Sequence, residues 1–263
     1  MSAAVYVESV GLGPPLVLLH GFAMHGGLFA PVLPDLARRH RVHVVDLPGH
    51  GRSAPPSPDI PLSLDGIIAA LEAALAHEPA PLCILGWSLG GAVALRWAAQ
   101  DPRRIACLAL VATTPSFVAR DDWPHAMRDE TLRKFGDELR VAYRLTLQRF
   151  LTLQTQGSDG GRATLAALRH QLFARGEPTA AVLDQSLELV RGIDLRAAAP
   201  TIRAPALVVA GDRDTLAPRE AGAWLANALP NARFAEIAGA AHAPFLSHRD
   251  DFLAAVTPFL DAR

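Results

Sequence analysis

Leu82-Cys-Ile-Leu-Gly-Trp-Ser-Leu-Gly-Gly91 changes period halfway along. Leu82 to Gly86 is a short apolar run with no polar alternation, the pattern of a strand covered on both faces of a parallel sheet. Gly90 to Gln100 has helical spacing instead. Between the two, Gly86-x-Ser88-x-Gly90 sets a serine on a strand-to-helix turn. Such a turn brings backbone against backbone and needs small neighbours, which Gly86, Gly90 and Gly91 supply. It lifts the Ser88 hydroxyl above the strand ends and near the positive end of a helix. An idle serine in a glycine-rich turn would show the same five letters. The flanking strand and helix separate the two readings.

The same grammar extends outward. Pro15 to His20, Val42 to Asp46, Ile105 to Val111 and Ala206 to Ala210 read as buried strands, and Arg233 to Ala238 as the last. Helices are expected over Leu28 to Arg39, Leu64 to Ala76, Arg219 to Ala228 and Asp250 to Leu260. Strand and helix in alternation predict an α/β fold with a mostly parallel central sheet flanked by helices. The middle of the chain departs from this rhythm. Leu132, Phe135, Leu139, Tyr143, Thr146, Phe150 and Leu153 recur every three or four residues, an amphipathic helical stripe. Further helices are expected near Ala163 to Phe173 and Ala180 to Val190. The expected organisation is a core over 1–115, a helical cap insertion over 116–195 and the rest of the core over 196–263.

Composition narrows the class. Of 263 residues, 50% are hydrophobic and 19% charged, which excludes a disordered chain. Twenty-five basic against 26 acidic residues give a net charge of −1, so a protein that coats nucleic acid by bulk charge is excluded as well. The longest apolar stretch, Ile105 to Ala112, falls far short of the roughly 20 residues of a membrane helix. Met1 to Glu8 has no basic segment leading into an apolar one. A cytoplasmic protein without membrane contact is expected. Cys83 and Cys107 lie in apolar runs with no C-x-x-C spacing, and are expected as buried reduced thiols. No His/Asp/Glu cluster has metal-ligand spacing and no glycine-rich loop precedes a lysine. Neither metal nor cofactor is expected.

A serine hydroxyl needs a base. Only two of the ten histidines, His242 and His248, lie beyond all the expected strands. His242 sits among small residues in Gly239-Ala-Ala-His-Ala-Pro244, where its ring is free to reach a nucleophile. His248 reads better as a polar residue near the last helix start. On such a turn the acid follows the nucleophile and precedes the base in the chain. Gly211-Asp-Arg-Asp214 offers two carboxylates directly after a strand. Asp214 is favoured over Asp212, which reads as a turn cap. Two backbone N–H groups must hold the oxyanion, and Leu89 after the nucleophile and Phe22 after His20-Gly21 are the candidates. His20 reads as a structural ring, and Asp46-Leu-Pro-Gly-His-Gly-Arg-Ser53 as a shaping loop.

Together these segments resemble the α/β-hydrolases with a helical cap. Gly86 to Gly91, Ala119-Arg-Asp-Asp-Trp-Pro124, Arg149-Phe-Leu-Thr-Leu-Gln-Thr155 and Ala240-Ala-His-Ala-Pro-Phe245 are similar, within them, to the pimeloyl-[acyl-carrier-protein] methyl ester esterases of biotin synthesis. The resemblance implies a serine carboxylesterase with the triad Ser88, Asp214 and His242. It implies that Phe22, Ser88, Leu89 and His242 contact substrate, with Phe150, Leu151, Thr152, Leu153 and Gln154 along the acyl channel. It implies an acyl carrier protein as partner, met by Arg149 and Arg162, and a monomer. That family commonly has Trp where this chain has Phe22; Arg144 is offset by one from a basic position, and Ala166 stands at another. Arg133, Arg140 and Arg144 would share one face of the cap helix, with Asp137 and Glu138 interleaved. A general short-chain esterase, a C–C bond hydrolase and a ligand-binding receptor on the same fold remain alternatives.

Overall fold

A computed structural model describes residues 4–56, 61–79 and 81–262. Seven strands form one sheet: β1 (Tyr6–Val10), β2 (Pro15–Leu19), β3 (Arg41–Asp46), β4 (Leu82–Trp87), β5 (Ile105–Val111), β6 (Ala206–Gly211) and β7 (Ala232–Ile237). Their spatial order is β1-β3-β2-β4-β5-β6-β7. Among the described residues, only β1 runs antiparallel, against β3. All six residues of β4 and of β6 are buried, so the centre of the sheet is covered on both faces, as their unbroken apolar runs require. Each buried Leu, Ile or Val there contributes about 1.5–3 kcal/mol.

Helices cover the sheet: α1 (Leu33–Leu36), α2 (Leu64–Ala74), α3 (Leu89–Gln100), α7 (Arg219–Ala228), α8 (Pro244–Ser247) and α9 (Arg249–Leu260). Between β5 and β6 lie α4 (Asp129–Thr155), α5 (Gly161–Gln171) and α6 (Ala180–Gly192). α4 is interrupted at Ala142, whose φ of −147° and ψ of 57° are not helical. Among the described residues, no helix is long and apolar enough to cross a membrane.

Three expectations change. The helix expected over Leu28 to Arg39 is a 3-10 turn over Gly26–Phe29 followed by the single-turn α1. Pro31 and Pro34 cannot donate the backbone hydrogen bonds of a continuous helix, and the His25 ring caps the 3-10 turn by accepting from the Gly27 N–H at 3.1 Å. β1 was not anticipated, because Tyr6-Val-Glu-Ser-Val10 is a half-exposed edge without the buried-strand pattern. Cys83 and Cys107 are joined in a disulfide rather than held as separate thiols. They lie opposite each other in the β4–β5 register, with Cα atoms 4.7 Å apart. Sequence shows that both belong to strands; the crossover through α3 makes them neighbours. Of the N-terminal segment Met1 to Glu8, residues 1–3 lie outside the described residues.

Candidate active site

β4 ends at Trp87 and α3 begins at Leu89, so Ser88 alone makes the turn. Its φ of 55° and ψ of −118° lie where L-residues rarely settle, at a cost of about 1–3 kcal/mol. The surroundings impose it. A Cβ at Gly86 would come 2.5 Å from the Gly90 carbonyl oxygen, and one at Gly90 would collide with the Leu19 carbonyl. The Ser88 N–H donates to the Val111 carbonyl at 2.9 Å. The Thr113 hydroxyl donates to the Ser88 carbonyl at 2.7 Å. The sequence reading missed Thr113; its place after β5 gave no sign of a bond to the Ser88 main chain.

Ser88 Oγ lies 3.0 Å from His242 Nε2, and His242 Nδ1 lies 2.8 Å from Asp214 Oδ2. Serine, histidine and aspartate are all buried. The other Asp214 oxygen, Oδ1, accepts from the Leu216 and Ala217 N–H groups at 2.9 and 3.0 Å. With one oxygen fixed by the backbone, the second is aimed at the imidazole. Asp212 instead accepts from the Gly239 N–H at 2.7 Å, closing the turn that leads to His242. His248 bonds Ser247 beside α9 and does not join this chain of contacts.

Leu89 is the first residue of α3, so its N–H is one of the four a helix leaves without an intrahelical acceptor. The His20-Gly21-Phe22 loop lies against Ser88, since a Cβ at Gly21 would sit 3.1 Å from the Ser88 Cβ. His20 Nδ1 is 2.8 Å from the Gly21 carbonyl and donates to it, while Nε2 accepts from the Leu47 N–H at 2.8 Å. These partners fix the neutral tautomer. Burial, with the nearby His50 imidazole adding to it, pushes the His20 pKa well below its usual value. Asp46 is buried and accepts from the Gly26 and Arg52 N–H groups, which explains the tight loop after β3.

Above Ser88 and His242 lies a pocket lined by Phe22, Phe117, Met127, Thr131, Leu132, Phe135, Phe150, Leu153, Leu187, Val190 and Leu216. Apart from Ser88 and His242, Thr131 is the one polar residue in that wall. The Phe22 ring meets Phe135 and Phe150 edge-on at 6.1 and 5.8 Å. Of the five consecutive residues expected along the channel, Phe150 and Leu153 line the pocket. Leu151 packs into the core and Thr152 faces solvent, its hydroxyl donating back to the Gln148 carbonyl. Successive helical residues point about 100° apart, so one face of α4 can offer residues three apart but not five in a row. Gln154 is buried and contributes its main chain: its carbonyl accepts from the His242 N–H at 3.1 Å.

Arg149 and Arg162 are exposed, Arg149 lying 3.8 Å from Glu138. Arg133 pairs with Asp129 at 2.8 Å, Arg140 with Asp184 at 2.6 Å, and Arg144 with Glu177. The kink at Ala142 separates Arg140 from Arg144, and every arginine of this expected row has an acidic partner. Among the described residues, no group of three His, Cys, Asp or Glu side chains could hold a metal ion.

Comparison with known proteins agrees with this architecture. The alpha/beta hydrolase fold family matches residues 14–249. The pimeloyl-[acyl-carrier protein] methyl ester esterase of Chromobacterium violaceum is 45% identical, over 98% of this chain and 99% of that protein. The protein of the same name from Xanthomonas oryzae pv. oryzae is 47% identical, over 97% of this chain and 98% of its own length. Among solved structures, an esterase from Exiguobacterium antarcticum superposes with a TM-score of 0.89, covering 98% of this chain and 96% of that one; at 21% identity it speaks for the fold. On this sheet, this strand-to-helix turn and these matches, the chain belongs to the α/β-hydrolase family.

Proposed function

We propose that this chain is a serine ester hydrolase that cleaves the methyl ester of a pimeloyl chain carried on acyl carrier protein, freeing the carboxylate used in biotin synthesis. The observation that carries this reading is the unbroken sequence of contacts from Asp214 through His242 to Ser88, opening on an apolar pocket. The relatives' name supplies the substrate.

In the first half-reaction Ser88 Oγ attacks the ester carbonyl carbon while His242 Nε2 takes its proton. Asp214 fixes the imidazole tautomer and stabilises the imidazolium. The N–H groups of Phe22 and Leu89 hold the oxyanion; a donor of this kind is worth about 2.7–4 kcal/mol of barrier. The tetrahedral adduct collapses, methoxide takes the proton from His242 and leaves as methanol, and the acyl group stays on Ser88. Water then attacks by the same route and releases the acid.

The pocket wall suits this direction of reaction. An uncharged methyl ester enters an apolar space at a much smaller desolvation cost than a carboxylate. The product is a carboxylate, and no lysine or arginine among the lining residues meets it there. Leaving such a charge in an apolar wall is unfavourable, which favours its release. Residues 116–195 act in this scheme as a cap over the core, with Arg149 and Arg162 toward the acidic carrier. The test is complementation: the gene should restore growth without biotin to bacteria lacking their methyl ester esterase. A well-expressed protein that fails to do so would return the assignment to a general short-chain esterase.

A further inference from the structure

The loop that carries His242 packs only small side chains: its flanking residues are Gly239, Ala240, Ala241 and Ala243, and the three alanines are buried. Main-chain bonds add to that packing in fixing its position. Ala240 donates to the Ile237 carbonyl, and its own carbonyl accepts from the Arg213 N–H at 2.9 Å. The His242 peptide is held from two sides. Its N–H donates to the Gln154 carbonyl, which belongs to α4 between β5 and β6. Its carbonyl accepts from the indole N–H of Trp87 at 2.7 Å. Trp87 is fully buried at the end of β4, with its ring 5.7 Å from the His242 imidazole and 5.2 Å from the Phe245 ring.

We propose that Trp87 is a positioning residue for the base, its indole N–H fixing the His242 carbonyl and through it the seat of the imidazole on Ser88. This rests on the reading of Ser88 and His242 as nucleophile and base. Trp87 ends β4 and Ser88 follows it directly at the turn. The nucleophile and the support of its base are thus parts of the same rigid piece. The Ser88–His242 separation is then set from the core, while the Gln154 contact follows α4. In a G-x-S-x-G turn the residue before the serine is free to vary. Here it has a task that only a side-chain donor of this reach performs. A leucine or phenylalanine would keep an apolar side chain there, though a smaller one, and leave the His242 carbonyl buried without that partner.

The test compares Trp87→Phe with Trp97→Phe. Phenylalanine keeps a ring against Phe245 but has no N–H. Trp97 is an equally buried tryptophan whose indole N–H donates to Glu72 at 2.7 Å, away from the His242 loop. With a p-nitrophenyl ester, Trp87→Phe should lower kcat by about tenfold or more, on the scale at which small misplacements of catalytic groups act. Its KM should stay within about twofold of wild type, and Trp97→Phe should leave kcat near wild type. Equal kcat in folded Trp87→Phe and wild type would overturn the proposal, as would an equal loss in Trp97→Phe. A second measurement needs no variant. The Trp87 indole N–H of the wild-type protein should resist solvent exchange as the β4 amides do, and exchange within minutes would overturn the proposal. Failure of the underlying mechanism would show separately, as turnover retained by Ser88→Ala.

Discussion

Ser88 occupies a strained backbone conformation because its neighbours leave no other, and Thr113 is the side chain that meets its carbonyl. Thr113→Val keeps the shape and removes this hydroxyl donor, while the Gly91 and Ala92 N–H groups still donate to the Ser88 carbonyl. We expect a loss of about 0.5–1.5 kcal/mol of stability in urea unfolding, with kcat reduced more than KM is changed. That Ser88, Asp214 and His242 come together was legible from sequence. The turn around the serine and the restricted chain order of serine, acid and histidine single out these three. Thr113 and Trp87 were not legible. Each acts on a main-chain carbonyl, and a carbonyl is the same at every position of a sequence. The pairing of Cys83 with Cys107 was hidden for a related reason, since it depends on strand register across a crossover.

The β4–α3 junction is the element on which the site depends. Gly90 lies so close to Leu19 of β2 that a Cβ there meets the backbone of the neighbouring strand. Gly90→Ala is therefore expected to destabilise the fold by at least the roughly 1–3 kcal/mol of an overpacked core. Thermal unfolding checks this, and a Tm unchanged by the substitution would count against the packing described. Strands β2 to β7 and most helices were readable because apolar runs and helical stripes record burial directly. Elements that burial does not mark were not. The segment from Gly26 to Leu36 has a helical stripe, yet its prolines divide it. The stripe on α4 passes through Ala142 with no sign of the kink. That stripe also concealed how the site is shared: Phe135 lies before the kink and Phe150 after it, and both meet Phe22.

Across the whole molecule, four histidines with suppressed protonation tie stability to pH. Burial lowers the pKa of His20, His25, His43 and His50 below the ordinary value. In the unfolded chain these rings take up protons below about pH 6.5, while in the folded protein they stay neutral until a lower pH. The unfolded state then binds more protons, and stability falls as pH drops through that window. Tm should be higher at about pH 7.5 than at about pH 5.5, and a flat profile would contradict the assignment. The proposed carrier contact also belongs to this scale. Reversing Arg149 and Arg162 together to Glu should raise KM for a carrier-borne ester and leave a small free methyl ester unaffected. An equal effect on both substrates would remove the carrier from that face. The net charge of −1 excluded a globally basic binder and said nothing about a local one. The most direct measurement is methanol release from the methyl ester of pimeloyl-acyl carrier protein by the wild-type enzyme and by Ser88→Ala. We predict steady turnover by the wild type and a loss on the order of 10⁶-fold in the variant, as when a triad serine is removed. Turnover by Ser88→Ala within tenfold of wild type would contradict the serine mechanism outright.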